Sequence, residues 1–160
     1  MIFSQNEGLE IYMIDVENPL YKDYDENNCR CCMEVLPSNI VGEPLIKDDD
    51  IERFDWNKQI IYLKESGKIK LIDFDFMQPG QRLPGVAAVI TLSKVPIYPL
   101  IIFPEGSSHG CDRVHTIIGD DFLVLRFGFR MGTKGRWSFG VDPRYDKRIE
   151  QYLENRASHN

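Results

Sequence analysis

GVAAVITLSKVPIYPLIIF, residues 85–103, decides the fold, because it contains two long apolar runs separated by one short turn. The first run, VAAVITL, predicts a buried strand. Ser93 and Lys94 form the turn, and VPIYPLIIF returns the chain as a second strand. The prolines of the second run cannot donate hydrogen bonds to a neighbouring strand. The sequence therefore predicts an edge strand or a strand interrupted by a bulge.

Further strands are predicted on both sides of this hairpin. GLEIYMIDV, residues 8–16, has the composition of a first strand, and RCCMEVL, residues 30–36, that of a short one. Residues 51–63 predict two strands joined by a polar turn, and a short helix follows within residues 64–74. RVHTII and DFLVLRFGF are two apolar runs separated by a glycine and two aspartates, which predicts a hairpin.

The C-terminal segment VDPRYDKRIEQYLENR predicts a helix. Asp142 suits its N-cap and Pro143 its first helical position, while Ile149, Tyr152 and Leu153 form an apolar stripe. Because most strand pairs are joined by short turns, the sequence predicts an α+β fold, with a mainly antiparallel sheet and one or two helices packed on one face. At 160 residues, the chain has the length of a single domain, residues 1–160.

Composition excludes several classes of function. The net charge is −6, which disfavours nucleic acid as a partner because that affinity comes largely from Lys and Arg neutralising phosphates. The longest apolar stretch, residues 83–103, is broken by Ser93, Lys94 and three prolines, so no membrane span is predicted. The N-terminus lacks a basic leader with a long apolar region. We therefore expect a cytoplasmic protein, and reduced thiols at its four cysteines.

Three segments resemble a known family in their order along the chain. They are DDDIERFDWNKQIIYLKE (48–65), GVAAVITLSKVPIYPLIIFPEGSSHGCDRVHTII (85–118) and VDPRYDKRIEQYLE (141–154). Together they are similar to small soluble proteins whose fold is like the head of the first periplasmic domain of the SecD/SecDF export proteins. The resemblance covers about residues 48–154 and leaves residues 1–40 as an N-terminal extension. It implies an α+β domain that presents a surface to another polypeptide, and it implies no catalytic residues.

PEGSSHGCDRVH, residues 104–115, is the first candidate site. A nucleophilic Cys111 or Ser107 would need a base, such as His109, and a third group to orient that base. We favour a polar loop instead, in which Ser107 and Ser108 close turns beside glycines. A small thiol-dependent or hydrolytic enzyme using Cys111 and His109 remains an alternative.

A zinc site is the second candidate. The residues with suitable ligand atoms are Cys29, Cys31, Cys32, His109, Cys111 and His115. The CRCC spacing does not match the paired Cys-x₂₋₄-Cys units of structural zinc sites. The sequence therefore predicts no metal and no cofactor, and a structural zinc protein stays an alternative.

The third candidate is the glycine-rich stretch that carries Arg130, Lys134, Arg136 and Trp137. It lacks the pattern of a phosphate-binding loop, but its positive charge suits an anionic ligand or an acidic partner, and Arg and Trp are typical interaction hot spots. The leading hypothesis is a non-enzymatic module that binds an unidentified protein. Its expected contact surfaces are the loops at 77–85, 104–112 (with Ser107 and Ser108) and 130–139.

Overall fold

The computed structural model describes residues 8–15, 28–76, 85–108, 110–119, 121–130 and 135–159. These residues form an α+β fold, as the sequence predicts. The helices are α1 (Glu65–Ile72) and α2 (Lys147–Ser158), and two short 3₁₀ helices cover Pro37–Asn39 and Asp48–Asp50. The strands are β1 (Leu9–Met13), β2 (Ile51–Asp55), β3 (Ile60–Leu63), β4 (Val86–Leu92), β5 (Val95–Phe103), β6 (Val114–Ile117), β7 (Phe122–Val124), β8 (Arg126–Phe127), β9 (Phe129–Arg130) and β10 (Arg136–Trp137).

The predicted hairpin of residues 85–103 lies in the middle of a five-stranded sheet of order β1-β4-β5-β6-β8. Ser93 and Lys94 both have positive φ, at 53° and 64°, as the two central residues of a type I′ hairpin turn require. Because β5 lies between β4 and β6, it is not an edge strand. A shift in the β4–β5 register after Ile90 provides the predicted bulge and leaves Ile97 without a cross-strand partner. All pairs in this sheet are antiparallel except β5–β6.

Both faces of the five-stranded sheet are buried, which explains the nearly continuous apolar run of β4. Val86, Ala88 and Ile90 point into the main core, together with residues of the three-stranded sheet β2-β3-β7 and of α2. Ala87 and Val89 point to the opposite face. There the covering residues come from the segment that starts within the CRCC motif, namely Cys31, Met33, Val35 and Ile40.

Two predicted elements differ from the observed ones. Residues 30–36 form no strand and lie as an irregular segment over the sheet. RVHTII and DFLVLRFGF do not form a simple hairpin. Strand β6 pairs with β5 and β8, whereas β7 pairs with β3 of the other sheet, and a single bridge between Ile118 and Leu123 remains of the predicted pairing.

The C-terminal helix is confirmed, but its predicted start is wrong. The N-cap is Asp146, whose side chain accepts a hydrogen bond from the backbone N–H of Arg148. Asp142 instead pairs with the guanidinium of Arg144. Ile149 is completely buried and begins the predicted apolar stripe. Within the described part of the chain, no helix has the length and apolar character needed to cross a membrane.

Candidate functional site

Residues 111–114, which lead into β6, hold two other segments of the chain against the five-stranded sheet. Asp112 is fully buried, and its carboxylate accepts hydrogen bonds from the backbone N–H groups of Arg30 (2.7 Å) and Cys31 (2.9 Å). Hydrogen bonds to a charged acceptor are among the stronger ones in proteins. Asp112 therefore fixes the CRCC turn on the sheet, and it uses the N–H groups that a strand at residues 30–36 would need.

The Asp112 contact brings two free cysteines together. Cys31 and Cys111 are both buried, and their sulfur atoms and an Asp112 oxygen lie within 4.8 Å of one another. Burial raises the pKa of the Cys111 thiol, but hydrogen bonds with Cys31 and with the His115 ring outweigh burial and lower the pKa to about 6. The hydrogen bond with Cys111, together with burial, raises the pKa of Cys31. Cys111 is therefore the more acidic of the two thiols, and Cys31 is the one that keeps its proton.

His115, in strand β6, is a buried neighbour of this cluster. Its Nδ1 atom lies 3.2 Å from the Arg113 carbonyl oxygen, and its ring packs edge-on against Phe103. The other nitrogen, Nε2, faces Gly110, where a Cβ atom would lie only 3.3 Å away. Nδ1 donates to that carbonyl oxygen when it carries the proton.

The other two cysteines differ from the expectation of reduced thiols, because Cys29 and Cys32 form a disulfide. Cys32 is exposed, whereas Cys31 between them points into the sheet. Of the predicted zinc ligands, the structure therefore brings together Cys31 and Cys111 and adds Asp112, which the sequence argument did not include. His109 lies outside the described residues.

The predicted catalytic pair gains no support from this arrangement. Cys111 has no accessible surface, so a substrate does not reach its sulfur in this structure. Ser107 closes a polar turn, in which its backbone N–H donates to the Pro104 carbonyl, and the exposed Ser108 follows that turn. That geometry is the turn expected from the sequence.

The second segment held by residues 111–114 is an exposed strap, residues 137–145. Arg113 donates from Nη1 to the carbonyl oxygens of Phe139 (2.7 Å) and Val141 (3.0 Å). The Phe139 backbone N–H donates in turn to the Asp112 carbonyl at 2.8 Å. These bonds fix the backbone while its apolar side chains face solvent: Val141 is 85% exposed and Tyr145 is 50% exposed.

Trp137 lies at the start of the strap, where the sequence predicts a contact surface. It packs edge-on against Phe129 across the β9–β10 pair. Gly128 beside this pair has φ of +75°, and a Cβ atom there would lie 2.5 Å from the Trp137 carbonyl oxygen. The structure describes the backbones of Arg130 and Arg136 as paired in β9–β10. Lys134 and most of the loop at 77–85 lie outside the described residues.

The predicted contact loop, residues 130–139, ends at Phe139, so sequence reasoning missed the later apolar residues of the strap, Val141 and Tyr145. Phe139, Val141 and Tyr145 stand between glycine, proline and charged residues and show no regular period. A signal was nevertheless present in the charges: residues 126–148 contain seven Arg and Lys and only two Asp, in a chain of net charge −6. A cationic region with interspersed apolar residues is a pattern that favours binding.

Comparisons with protein-family models, with curated proteins and with solved structures give no match. The resemblance to the SecD/SecDF head therefore stays a prediction.

Proposed function

We propose that the protein is a non-enzymatic module that binds an acidic, extended segment of another polypeptide along the strap. The observation that carries the proposal is the exposure of Val141 and Tyr145 on a backbone held by hydrogen bonds from Arg113. Folded domains bury most large apolar side chains, and contiguous exposed ones are typical of interaction sites.

Preorganisation makes this surface suitable for binding. A segment that must become ordered on binding loses conformational entropy, which weakens the complex. In the strap, Arg113 and the carbonyl of Asp112 already bind the backbone near Phe139. Trp137 is braced by Phe129 at one end, and at the other end Tyr145 packs edge-on against Trp56. Little further ordering is needed when a partner docks.

Charge supports an acidic partner. The excess of basic residues within 126–148 contrasts with the acidic remainder of the chain. Among them, Arg126 is exposed, whereas Arg144 is already paired with Asp142. An acidic segment would be attracted to the strap and repelled by the rest of the surface, and this difference favours one docking position.

The Cys29–Cys32 disulfide bears on the cellular location of the protein. A disulfide such as Cys29–Cys32 is typical of oxidising compartments. The cytoplasmic location expected from the sequence therefore stays a prediction. The redox state of this pair in cells would test it.

The proposal can be tested by selection from a displayed library of random short peptides on the immobilised full-length protein. We expect enrichment of acidic peptides with apolar residues, and loss of their binding in Val141→Asp and Arg126→Glu. The matched control is Val41→Asp, because Val41 is 67% exposed and lies outside the strap. Recovery of no acidic peptide, or equal loss of binding in Val41→Asp, would overturn the proposal.

A further inference from the structure

Three potential metal ligands from two separate segments meet on the far face of the five-stranded sheet. Cys31 belongs to the covering segment, whereas Cys111 and Asp112 precede β6. All three are buried, and their ligand atoms lie within 4.8 Å of one another. In tetrahedral zinc sites, metal–sulfur distances of about 2.3 Å and metal–oxygen distances of about 2.0 to 2.2 Å place ligand atoms roughly 3.5 to 3.8 Å apart. A contraction of about 1 Å is therefore sufficient.

The charge of the cluster favours a cation. Asp112 is completely buried, and no Lys or Arg side chain of the described residues forms an ion pair with it. Its hydrogen bonds come from two neutral backbone N–H groups. Buried charged groups are normally paired with an opposite charge or coordinate a metal. A metal ion between Asp112 and the two sulfur atoms would supply the missing positive charge.

We propose that this cluster binds one Zn²⁺ ion through Cys31 Sγ, Cys111 Sγ and the Asp112 carboxylate, with a water molecule in the fourth position. Any proton that the two thiols still hold is released to solvent when they bind the ion, and no electron is transferred. Thiolates and a carboxylate are established zinc ligand types, and three protein ligands plus one water molecule form an established zinc arrangement.

Neighbouring groups orient these ligands in the way that metal sites require. Ligating carboxylates in metal sites usually accept further hydrogen bonds, which fix their orientation. The Asp112 carboxylate accepts hydrogen bonds from the backbone N–H groups of Arg30 and Cys31. The ligand set is thus held in place without Cys29 and Cys32, which are joined to each other.

The test uses the full-length Cys29→Ser/Cys32→Ser double variant, reduced and freed of metal with a chelator, so that only Cys31 and Cys111 carry thiols. Co²⁺ is the spectroscopic probe and Zn²⁺ the competitor. We expect one Co²⁺ per chain, with thiolate-to-metal charge-transfer bands and tetrahedral d–d bands, and displacement by one equivalent of Zn²⁺. Adding Cys31→Ser or Cys111→Ser should remove the charge-transfer bands or halve them, and Asp112→Asn should weaken binding at least about 10-fold.

A second measurement does not depend on these variants folding. In wild-type protein with the Cys29–Cys32 disulfide intact, one equivalent of Zn²⁺ should slow the alkylation of Cys31 and Cys111, read by mass spectrometry of each peptide. The proposal is overturned if the double variant stays folded with two free thiols but binds no stoichiometric Co²⁺. It is also overturned if metal binds only when Cys29 and Cys32 are present and reduced.

Discussion

Replacing Asp112 by Asn tests whether one buried carboxylate holds the CRCC segment on the sheet. The wild-type side chain accepts two backbone hydrogen bonds, from Arg30 at 2.7 Å and Cys31 at 2.9 Å. Asn keeps one oxygen acceptor but places an NH₂ group where the second acceptor was, so one buried N–H loses its partner. The loss of a hydrogen bond to a charged group corresponds to about 1.5 to 3 kcal/mol.

This magnitude predicts a local effect and a global one. If the segment opens independently, about 2 kcal/mol raises the population of the open state on the order of 30-fold, because each 1.4 kcal/mol is a factor of ten. If the loss acts on global unfolding, a chain of this size loses roughly 3 to 12 °C of melting temperature. Asn is nearly the same size as Asp, so packing changes contribute little.

The assay is alkylation of the two free thiols, without reductant and with a chelator present. The disulfide protects Cys29 and Cys32, so the modified residues are Cys31 and Cys111. We expect both to react on the order of 30-fold faster in Asp112→Asn. The matched control, Asp49→Asn, changes an exposed carboxylate and should leave the rate unchanged. Equal alkylation rates and melting temperatures in Asp112→Asn and wild type would refute the holding role of Asp112.

Three further predictions concern the scaffold. Burial opposes ionisation of Asp50, but the ion pair with Lys70 outweighs burial and lowers the pKa of Asp50. The ion pair should therefore stabilise the fold above about pH 3.9, the pKa of Asp in an unfolded chain. This stabilisation should be lost as the pH falls through the lower pKa of the folded state. In acid titrations of stability, Asp50→Asn should flatten this loss. At neutral pH, the same change should reduce the free energy of unfolding by about 1.5 to 3 kcal/mol, because a hydrogen bond to a charged group is lost. An unchanged loss of stability in acid would contradict this role of Asp50. Gly128→Ala places a Cβ atom on a left-handed backbone, close to the Trp137 carbonyl oxygen of β10. It should therefore reduce the free energy of unfolding in urea titrations by about 1 to 3 kcal/mol and weaken peptide binding at the strap. Wild-type stability and wild-type peptide binding would disprove this constraint. Ile149→Ala truncates a fully buried side chain and should reduce the free energy of unfolding by about 2 to 5 kcal/mol. The control Ile72→Ala, at a 79% exposed position, should change the free energy of unfolding by less than about 0.5 kcal/mol. Similar losses in the two variants would contradict the burial pattern.

The parts of the fold that sequence predicts are those fixed by local interactions. The β4–β5 hairpin follows from two apolar runs and a two-residue turn, and its bulge follows from the prolines of β5. The parallel β5–β6 pair depends instead on contacts between distant residues, as does the division of DFLVLRFGF between two sheets. No local pattern distinguishes those pairings from a simple hairpin.

The helix start illustrates a competition between a local sequence signal and a tertiary contact. Asp142 followed by Pro143 satisfies the sequence rule for an N-cap, yet the helix begins after Asp146. The reason lies outside the helix: Asp142 pairs with Arg144, which also donates to the Leu125 carbonyl at 2.6 Å. This tertiary contact holds residues 142–144 outside the helix, and a turn at residues 144 and 145 leads to its N-cap.

The candidate sites show the same limit of sequence reasoning. Cys31 and Cys111 meet across 80 positions because a carboxylate on one segment binds the backbone of the other. Spacing within CRCC gives no indication of that contact. The stretch that first suggested an active site, residues 104–115, instead supplies side chains that hold the CRCC turn and the strap in position.

The most direct test of the central claim is to map the binding surface by NMR, using the tightest acidic peptide recovered from the library and isotope-labelled full-length protein. The account predicts that amide shifts concentrate at residues 137–145 and around Arg113 and Arg126, and that they weaken at high salt. Shifts concentrated instead at the apolar groove lined by Leu71, Phe76 and Ile118 would contradict it.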